Sequence, residues 1–304
     1  FRGGRPIPCA CARMKMLDKR MPLDAIVAEL RDGMTIAIGG WATRRKPMAL
    51  VRAIARSPLK DLTVIAYGGP DVGMLAASGK ARQLIFAFVS MDQIPIEPHF
   101  KAARQAGMQA WEMDEGMLHC GLRAAAMHLP FLPTRVGIGT SIADDPRFRT
   151  ITSPYDDGET LIAMPALRPD VALLHVHRSD EKGNVLTLSP DPFFDELMAR
   201  AADRTFVTAE KLVSTAELGL PGNARHHLVE RALISGVAEA PFGAHPTSAA
   251  PDYQLDLAHL RSYAAAEGEA WAAYREQYVD VDQAAYVAAV GGAEAIRAVP
   301  APIY

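Results

Sequence analysis

Short apolar runs, each long enough for one strand, alternate along this chain with stretches of helical periodicity, and two of the runs end at glycine pairs. Met34-Thr-Ile-Ala-Ile38 runs into Gly39-Gly40, and Leu62-Thr-Val-Ile-Ala66 is followed by Gly68-Gly69. Leu84-Ile-Phe-Ala-Phe-Val89 is a third run. Around them, Leu23, Ile26, Val27 and Leu30 recur at helical spacing ahead of Gly33, and Pro47 to Arg56 and Glu97 to Ala106 repeat the pattern. A run apolar at nearly every position needs cover on both faces. Strand, turn, helix and strand in succession supply that cover as βαβ units. The pattern predicts an α/β fold with an open, mostly parallel sheet.

The second half continues with apolar runs at Leu161–Met164, Val171–Leu174 and Arg204–Thr208, and with a helix expected over Pro192–Ala202. Asp180-Glu-Lys-Gly-Asn184 reads as a polar turn. From about Asp252 the chain becomes alanine-rich and charged, which predicts helices to about Val290. The expected organisation is one α/β domain over 14–250 and a helical tail over 251–304, packed on the same subunit or on a partner. Residues 1–13 carry Gly3-Gly4, Pro6, Pro8, Cys9 and Cys11 without periodicity, and Met14, Met16 and Met21 follow. They are expected to be a disordered extension, or to precede a natural start at Met14 or Met16.

A net charge of -3 gives no basic field for nucleic acid, and no apolar run approaches the roughly 20 residues of a membrane span. Three cysteines are too few for a disulfide scaffold or a four-cysteine zinc site. A reduced, cytoplasmic protein is expected. The fingerprints of dinucleotide, P-loop, α/β-hydrolase and zincin sites do not occur. His175 and His177 share one face of an expected strand and could in geometry hold a metal. A lone strand pair without a nearby acidic partner more often serves a structural role, and no metal is expected.

In parallel α/β folds, ligands bind beyond the carboxyl ends of the strands. Gly39-Gly40-Trp41 and Gly68-Gly69-Pro70 fall there, and Arg44-Arg45-Lys46 follows the first. Tight turns and a solvated charge run are one reading; a backbone and cation site for an anionic ligand is the other. Trp111-Glu-Met-Asp-Glu-Gly-Met117 comes next, with Met117, Gly121, Ala124, Ala125 and His128 at helical spacing behind it. Glu112, Asp114 and Glu115 thus lie where a strand ends and a helix begins. Acids suit a helix N-terminus electrostatically. A glutamate among apolar neighbours such as Trp111, Met113, Met117 and Phe131 is also a candidate general base.

Gly33-Met-Thr-Ile-Ala-Ile-Gly-Gly-Trp41 with Arg45-Lys-Pro-Met-Ala-Leu-Val-Arg-Ala-Ile54, Ala124-Ala-Ala with Leu129-Pro-Phe-Leu-Pro133, and Ala240-Pro-Phe-Gly-Ala-His-Pro246 resemble, in order, three blocks of class I coenzyme A transferase alpha subunits. Trp111–Met117 and Arg44–Met48 are most similar to the actinobacterial branch that hydrolyses a cholesterol-derived, ring-containing CoA thioester. The resemblance implies an open α/β fold and an obligate beta-subunit partner, arranged as an α2β2 heterotetramer. In transferases of this family, a beta-subunit glutamate carries the covalent thioester. In the hydrolase branch an alpha-subunit glutamate serves instead, which points to Glu115, with Glu112 as the alternative.

The implied reaction is hydrolytic carbon–carbon cleavage that opens the last steroid ring of a cyclic β-keto acyl-CoA. Coenzyme A enters as part of the substrate, and no separate cofactor is expected. Arg135 is a candidate partner for a substrate carboxylate. Arg45 and the backbone at Gly39, Gly40, Gly68 and Gly69 are candidates for substrate binding and for donors to an enolate oxygen. Two other readings stay open: a transferase alpha subunit of the glutaconate or 3-oxoacid type, and a non-catalytic structural subunit.

Overall fold

The computed structural model describes residues 18–155 and 157–301, so the expected N-terminal extension lies outside the described residues. Four βα units open the chain. They are α1 (Leu23–Ala28), β1 (Thr35–Ile38), α2 (Met48–Arg56), β2 (Leu62–Ala66), α3 (Pro70–Ala77), β3 (Ala81–Phe86), α4 (Pro98–Gln105), β4 (Gln109–Glu112) and α5 (Glu115–Ala126). A small antiparallel sheet follows, from β5 (Phe131–Thr134), β6 (Thr150–Thr152) and β7 (Thr160–Pro165), in the order β5-β7-β6. The chain then returns to the large sheet through β8 (Val171–Ser179), β9 (Val185–Leu186), α6 (Asp195–Ala201), β10 (Arg204–Leu212), α7 (Thr215–Leu218) and β11 (Ile234–Glu239).

The large sheet has the order β11-β10-β8-β1-β2-β3-β4 and is parallel throughout that path, with β9 antiparallel on β8. The early strands extend to one side of β1 and the late strands to the other. The strand order therefore turns back between β1 and β8, which is where open α/β sheets place ligands. Alternation along each strand divides the core. Ile36, Ile38, Val64, Ala66, Leu84 and Phe86 pack under α1 to α4 on one face. Ala37, Ile65, Tyr67 and Ile85 pack under α5 and α6 on the other.

Two expected strands differ in the structure. The third run forms a strand over Ala81–Phe86 rather than Leu84–Val89. Its last apolar residues leave the sheet because they pack against the Gly68-Gly69 turn: Phe88 fills the space a Gly68 side chain would need, and the Ser90 carbonyl accepts the Gly69 N–H. The Leu161–Met164 run lies in the small sheet, where only Ile162 and Met164 are buried, as suits a strand with one covered face.

The tail continues past Val290 to Ala298, through α8 (Leu257–Ala265), α9 (Glu269–Tyr274), a π-helical turn (Arg275–Val279), α10 (Gln283–Ala289) and α11 (Gly292–Ala298). Leu260, Tyr263, Tyr274 and Val279 join the core beneath α2 and α3, so the tail packs on its own chain. Arg52, fully buried on α2, lies 3.5 Å from the Tyr286 ring centroid and donates to the His245 carbonyl and Gln283 Oε1.

Glu97 caps α4 and is buried against Gly73, where a side chain would collide with its carboxyl group. Tyr263 donates to it at 2.9 Å. Burial pushes its pKa up from 4.5 to about 7, against the lowering effect of the Phe100 N–H and Tyr263 hydrogen bonds. Between those values the folded chain keeps a proton that the unfolded chain has released. Stability therefore declines as pH rises through that interval, by up to about 3 kcal/mol. Glu97→Gln is expected to abolish this decline, which thermal denaturation at about pH 5 and about pH 8 would show. An unchanged difference between the two pH values in the variant would assign the titration elsewhere.

Candidate active site

β1 ends where its glycine pair meets α6. Gly40 has φ +74°, and a side chain there would collide with the Arg44 carbonyl oxygen, so only glycine fits this turn. The Gly39 N–H extends the ladder to the Leu173 carbonyl at 2.9 Å. The Gly40 N–H donates to Asp195 Oδ1 at 2.8 Å. Asp195 Oδ2 takes the Arg45 guanidinium at 2.7 Å, and Arg45 also donates to the His175 and Asp191 carbonyls.

These contacts alter two expectations. The N–H groups of Gly39, Gly40 and Gly69 are engaged within the chain rather than free for an oxyanion. Arg45 is 1% exposed and neutralised by Asp195, because it anchors the α6 entry instead of facing solvent as a free cation. Lys46 of the same cationic run is fully buried and paired with Asp71 at 3.3 Å. Arg44 alone of the three is part-exposed, and its Nη1 donates to both Asp92 carboxylate oxygens, at 2.9 and 3.0 Å.

Beyond Gly40 the Trp41 ring stands between Phe88, at 5.0 Å, and Phe193, stacked at 6.3 Å. Its indole Nε1–H donates to Glu115 Oε1 at 3.4 Å, joining the end of β1 to the start of α5. Asp114 is the N-cap of α5, accepting the Gly116 N–H at 2.7 Å, and Glu115 is the first helical residue. Cap and carboxylate thus divide the two roles that the acids at this junction could play. Trp41, Arg44, Glu115, Asp191, Phe193 and Phe194 line a hollow of about 440 Å³.

The aromatic neighbours differ from those expected. Met113 and Met117 are buried in the core, Trp111 packs tilted against Phe148, and Phe131 is 39% exposed on β5. Trp41 and the Phe193-Phe194 pair take their place because α6 packs beside α5. Glu112, at the end of β4, is exposed and lines a separate surface groove with Arg104 and Arg147. Arg135 is also apart from the hollow. It is 77% exposed and paired with Glu159, which leaves it at the protein surface.

His175 and His177 lie on one face of β8 as expected, and each ring nitrogen has a protein partner. His175 binds Thr208 and Glu210 at 2.8 and 2.7 Å. His177 accepts the Leu188 N–H and reaches the Ala250 carbonyl. Burial, followed by the nearby Arg45 charge, pushes His177 down to about 4, so it stays neutral at physiological pH. These histidines fasten β8 to its neighbours. Asp195, Phe193 and Phe194 are the site residues that periodicity missed; the aromatic Asp191-Pro-Phe-Phe-Asp195 cluster at a helix start is the signal that marks them.

The Coenzyme A transferase family matches residues 20–237, from the Arg20 bridge onto Val237 into the last strand of the large sheet. The chain belongs to the coenzyme A transferase family. Over 288 residues it is 48% identical to the cholesterol ring-cleaving hydrolase IpdA subunit of Mycobacterium tuberculosis, covering 90% of this chain and 98% of that one. The subunit of the same name from Rhodococcus jostii is 47% identical over 283 residues, covering 90% and 96%. The crystal structure of glutaconate coenzyme A-transferase from Acidaminococcus fermentans superposes with a TM-score of 0.86 at 27% identity, covering 93% of this chain and 96% of that one. As in that transferase, a large parallel sheet carries the fold.

Replacing Asp195 by Ala removes the partner of a buried guanidinium and of the Gly40 N–H together. Such a loss is expected to cost about 3–5 kcal/mol. Urea unfolding would show it as a lower midpoint at unchanged slope, and a variant as stable as the parent would contradict the role given to Asp195.

Proposed function

We propose that this chain is the alpha subunit of a hydrolase that opens the last ring of a cholesterol-derived CoA thioester, with Glu115 as the general base. The carrying observation is the Glu115 carboxylate lining an aromatic hollow, held by Trp41 where β1 and α5 converge. Relatives sharing 48% and 47% identity over nearly their whole length are named for cholesterol ring cleavage, which supports the substrate class.

In the proposed reaction, Glu115 takes a proton from water as the water oxygen adds to the ring ketone of a cyclic β-keto thioester. The tetrahedral adduct collapses to a carboxylic acid as the bond to the thioester α-carbon breaks. The electron pair of that bond passes into the thioester enolate, and protonation of the α-carbon completes the hydrolysis. The aromatic walls suit the ring system, because apolar area removed from water contributes about 25 cal/mol per Å². Arg135, carrying Glu159 at the surface, would exchange that partner for a substrate carboxylate. Coenzyme A arrives within the substrate, and no separate cofactor is invoked.

The named relatives are themselves subunits. We place this chain with a beta subunit of the same family, as an α2β2 heterotetramer acting in the cytoplasm. Among the described residues, no helix is long and apolar enough to cross a membrane. A second reading, a transferase alpha subunit, is favoured by the superposition on glutaconate coenzyme A-transferase. It requires CoA exchange to a carboxylate acceptor and a covalent thioester on the partner subunit.

The test is incubation of the co-purified alpha–beta pair with the ring-containing CoA thioester, with products identified by mass. Gain of one water with ring opening is expected. Glu115→Gln should lower turnover by about a thousandfold, the scale of a lost general base, with melting temperature and partner assembly unchanged. Full activity in that variant, or transfer of CoA in place of hydrolysis, would overturn the proposal.

A further inference from the structure

Tyr67 stands directly between β2 and the Gly68-Gly69 turn, on the sheet face covered by α5 and α6. Its side chain is fully buried, and its phenol stacks on Phe194 with centroids 4.3 Å apart. Phe88, which also flanks Trp41, lies 6.5 Å away. The same aromatic wall that shapes the Glu115 hollow therefore encloses Tyr67 from behind. Its backbone is fixed as well, because its carbonyl accepts the Ala42 N–H at 2.8 Å.

The Tyr67 hydroxyl is buried with no hydrogen-bond partner among the described residues. Leaving such a group unpaired forfeits its hydration with nothing in return, whereas phenylalanine would fill the same space without that loss. A hydroxyl kept under those conditions points to a partner that arrives during function. Glu115 lines the same hollow as Phe194, the ring on which Tyr67 stacks. Burial first, and then the Glu115 charge, hold the Tyr67 phenol well above its ordinary pKa, so it keeps its proton and remains a donor. Glu115 itself is half-buried, and Trp41 holds one of its oxygens by a long bond of 3.4 Å.

We propose that Tyr67 is a positioning residue for Glu115, donating its O–H to the carboxylate so that Trp41 and Tyr67 together fix the base. The inference rests on the assignment of Glu115 as general base. A donated hydrogen bond favours the ionised form of a carboxylate, which is the form that accepts a proton from water. Other charged or titratable groups face this region. From α5 they are Asp114 and His119, the latter edge-on to Phe194; from the loop after β1, Arg44 with its partner Asp92; and from the segment before α6, Asp191. None of these hydrogen-bonds to the Tyr67 hydroxyl, which makes it separable from them.

The experiment compares Tyr67→Phe and Glu115→Gln in the co-purified alpha–beta pair, using the ring-containing CoA thioester, across a pH series. For Tyr67→Phe, kcat is expected to fall about tenfold with KM nearly unchanged. The acid limb of its kcat profile should move up by about half a pH unit or more, because the base loses a donor. Its melting temperature should be unchanged or higher, since an unpaired buried hydroxyl is removed. A Tyr67→Phe enzyme with the parent profile and kcat overturns the inference, as does a lowered melting temperature with an unmoved acid limb. Loss of activity in Glu115→Gln beside a parental Tyr67→Phe would remove this inference alone. Full activity in Glu115→Gln would remove the general-base assignment and the inference with it.

Discussion

The Asp195 carboxylate takes the Gly40 N–H and the Arg45 guanidinium together, at the point where the strand order turns back between β1 and β8. A buried ion pair contributes little net stability by itself, but breaking one is expensive, so its value lies in fixing geometry. Here it seats the start of α6 against the end of β1. Phe193 and Phe194 precede Asp195, and its placement carries them to Trp41 and Tyr67. The wall of the hollow thus follows from one carboxylate whose partners lie about 150 residues upstream.

A second layer of buried charge lies under the adjoining turn. Lys46 pairs with Asp71 below Gly69, and Glu97 shares the same interior with Tyr263 from the tail. The tail therefore does more than cover apolar surface: its tyrosine hydroxyl satisfies a carboxyl group that caps α4. With Arg52 clasped by His245, Gln283 and the Tyr286 ring, the C-terminal helices are tied to the helices that frame the first two turns. Those turns are thus braced from the tail as well as from the sheet.

Much of the architecture was legible because local pattern and tertiary demand agree. Ile36 to Ile38 and Leu62 to Ala66 are apolar at nearly every position because helices cover both faces of a parallel sheet. Asp114 and Glu115 were legible as a strand-to-helix junction, and Asp114 caps as its residue type predicts. The pattern misleads where apolar residues serve a surface other than a strand. Phe88 and Val89 extend the third run in sequence, yet Phe88 packs against Gly68. The cationic run was misleading for a related reason: adjacent charges look solvated in sequence, whereas Arg45 and Lys46 each turn inward to a distant carboxylate.

The sequence by itself determined the α/β class, the glycine turns at the carboxyl ends of β1 and β2, and the acidic junction that presents Glu115. Each of these depends on residues within one helix turn or one strand, where sterics and periodicity act directly. Only the tertiary structure decided which groups surround Glu115. Trp41, Phe194 and Tyr67 reach that neighbourhood from separate βα units, brought together by sheet order and by the buried pair of Arg45 and Asp195. Contacts of that range depend on how helices pack across a sheet face, which no local pattern of residues encodes.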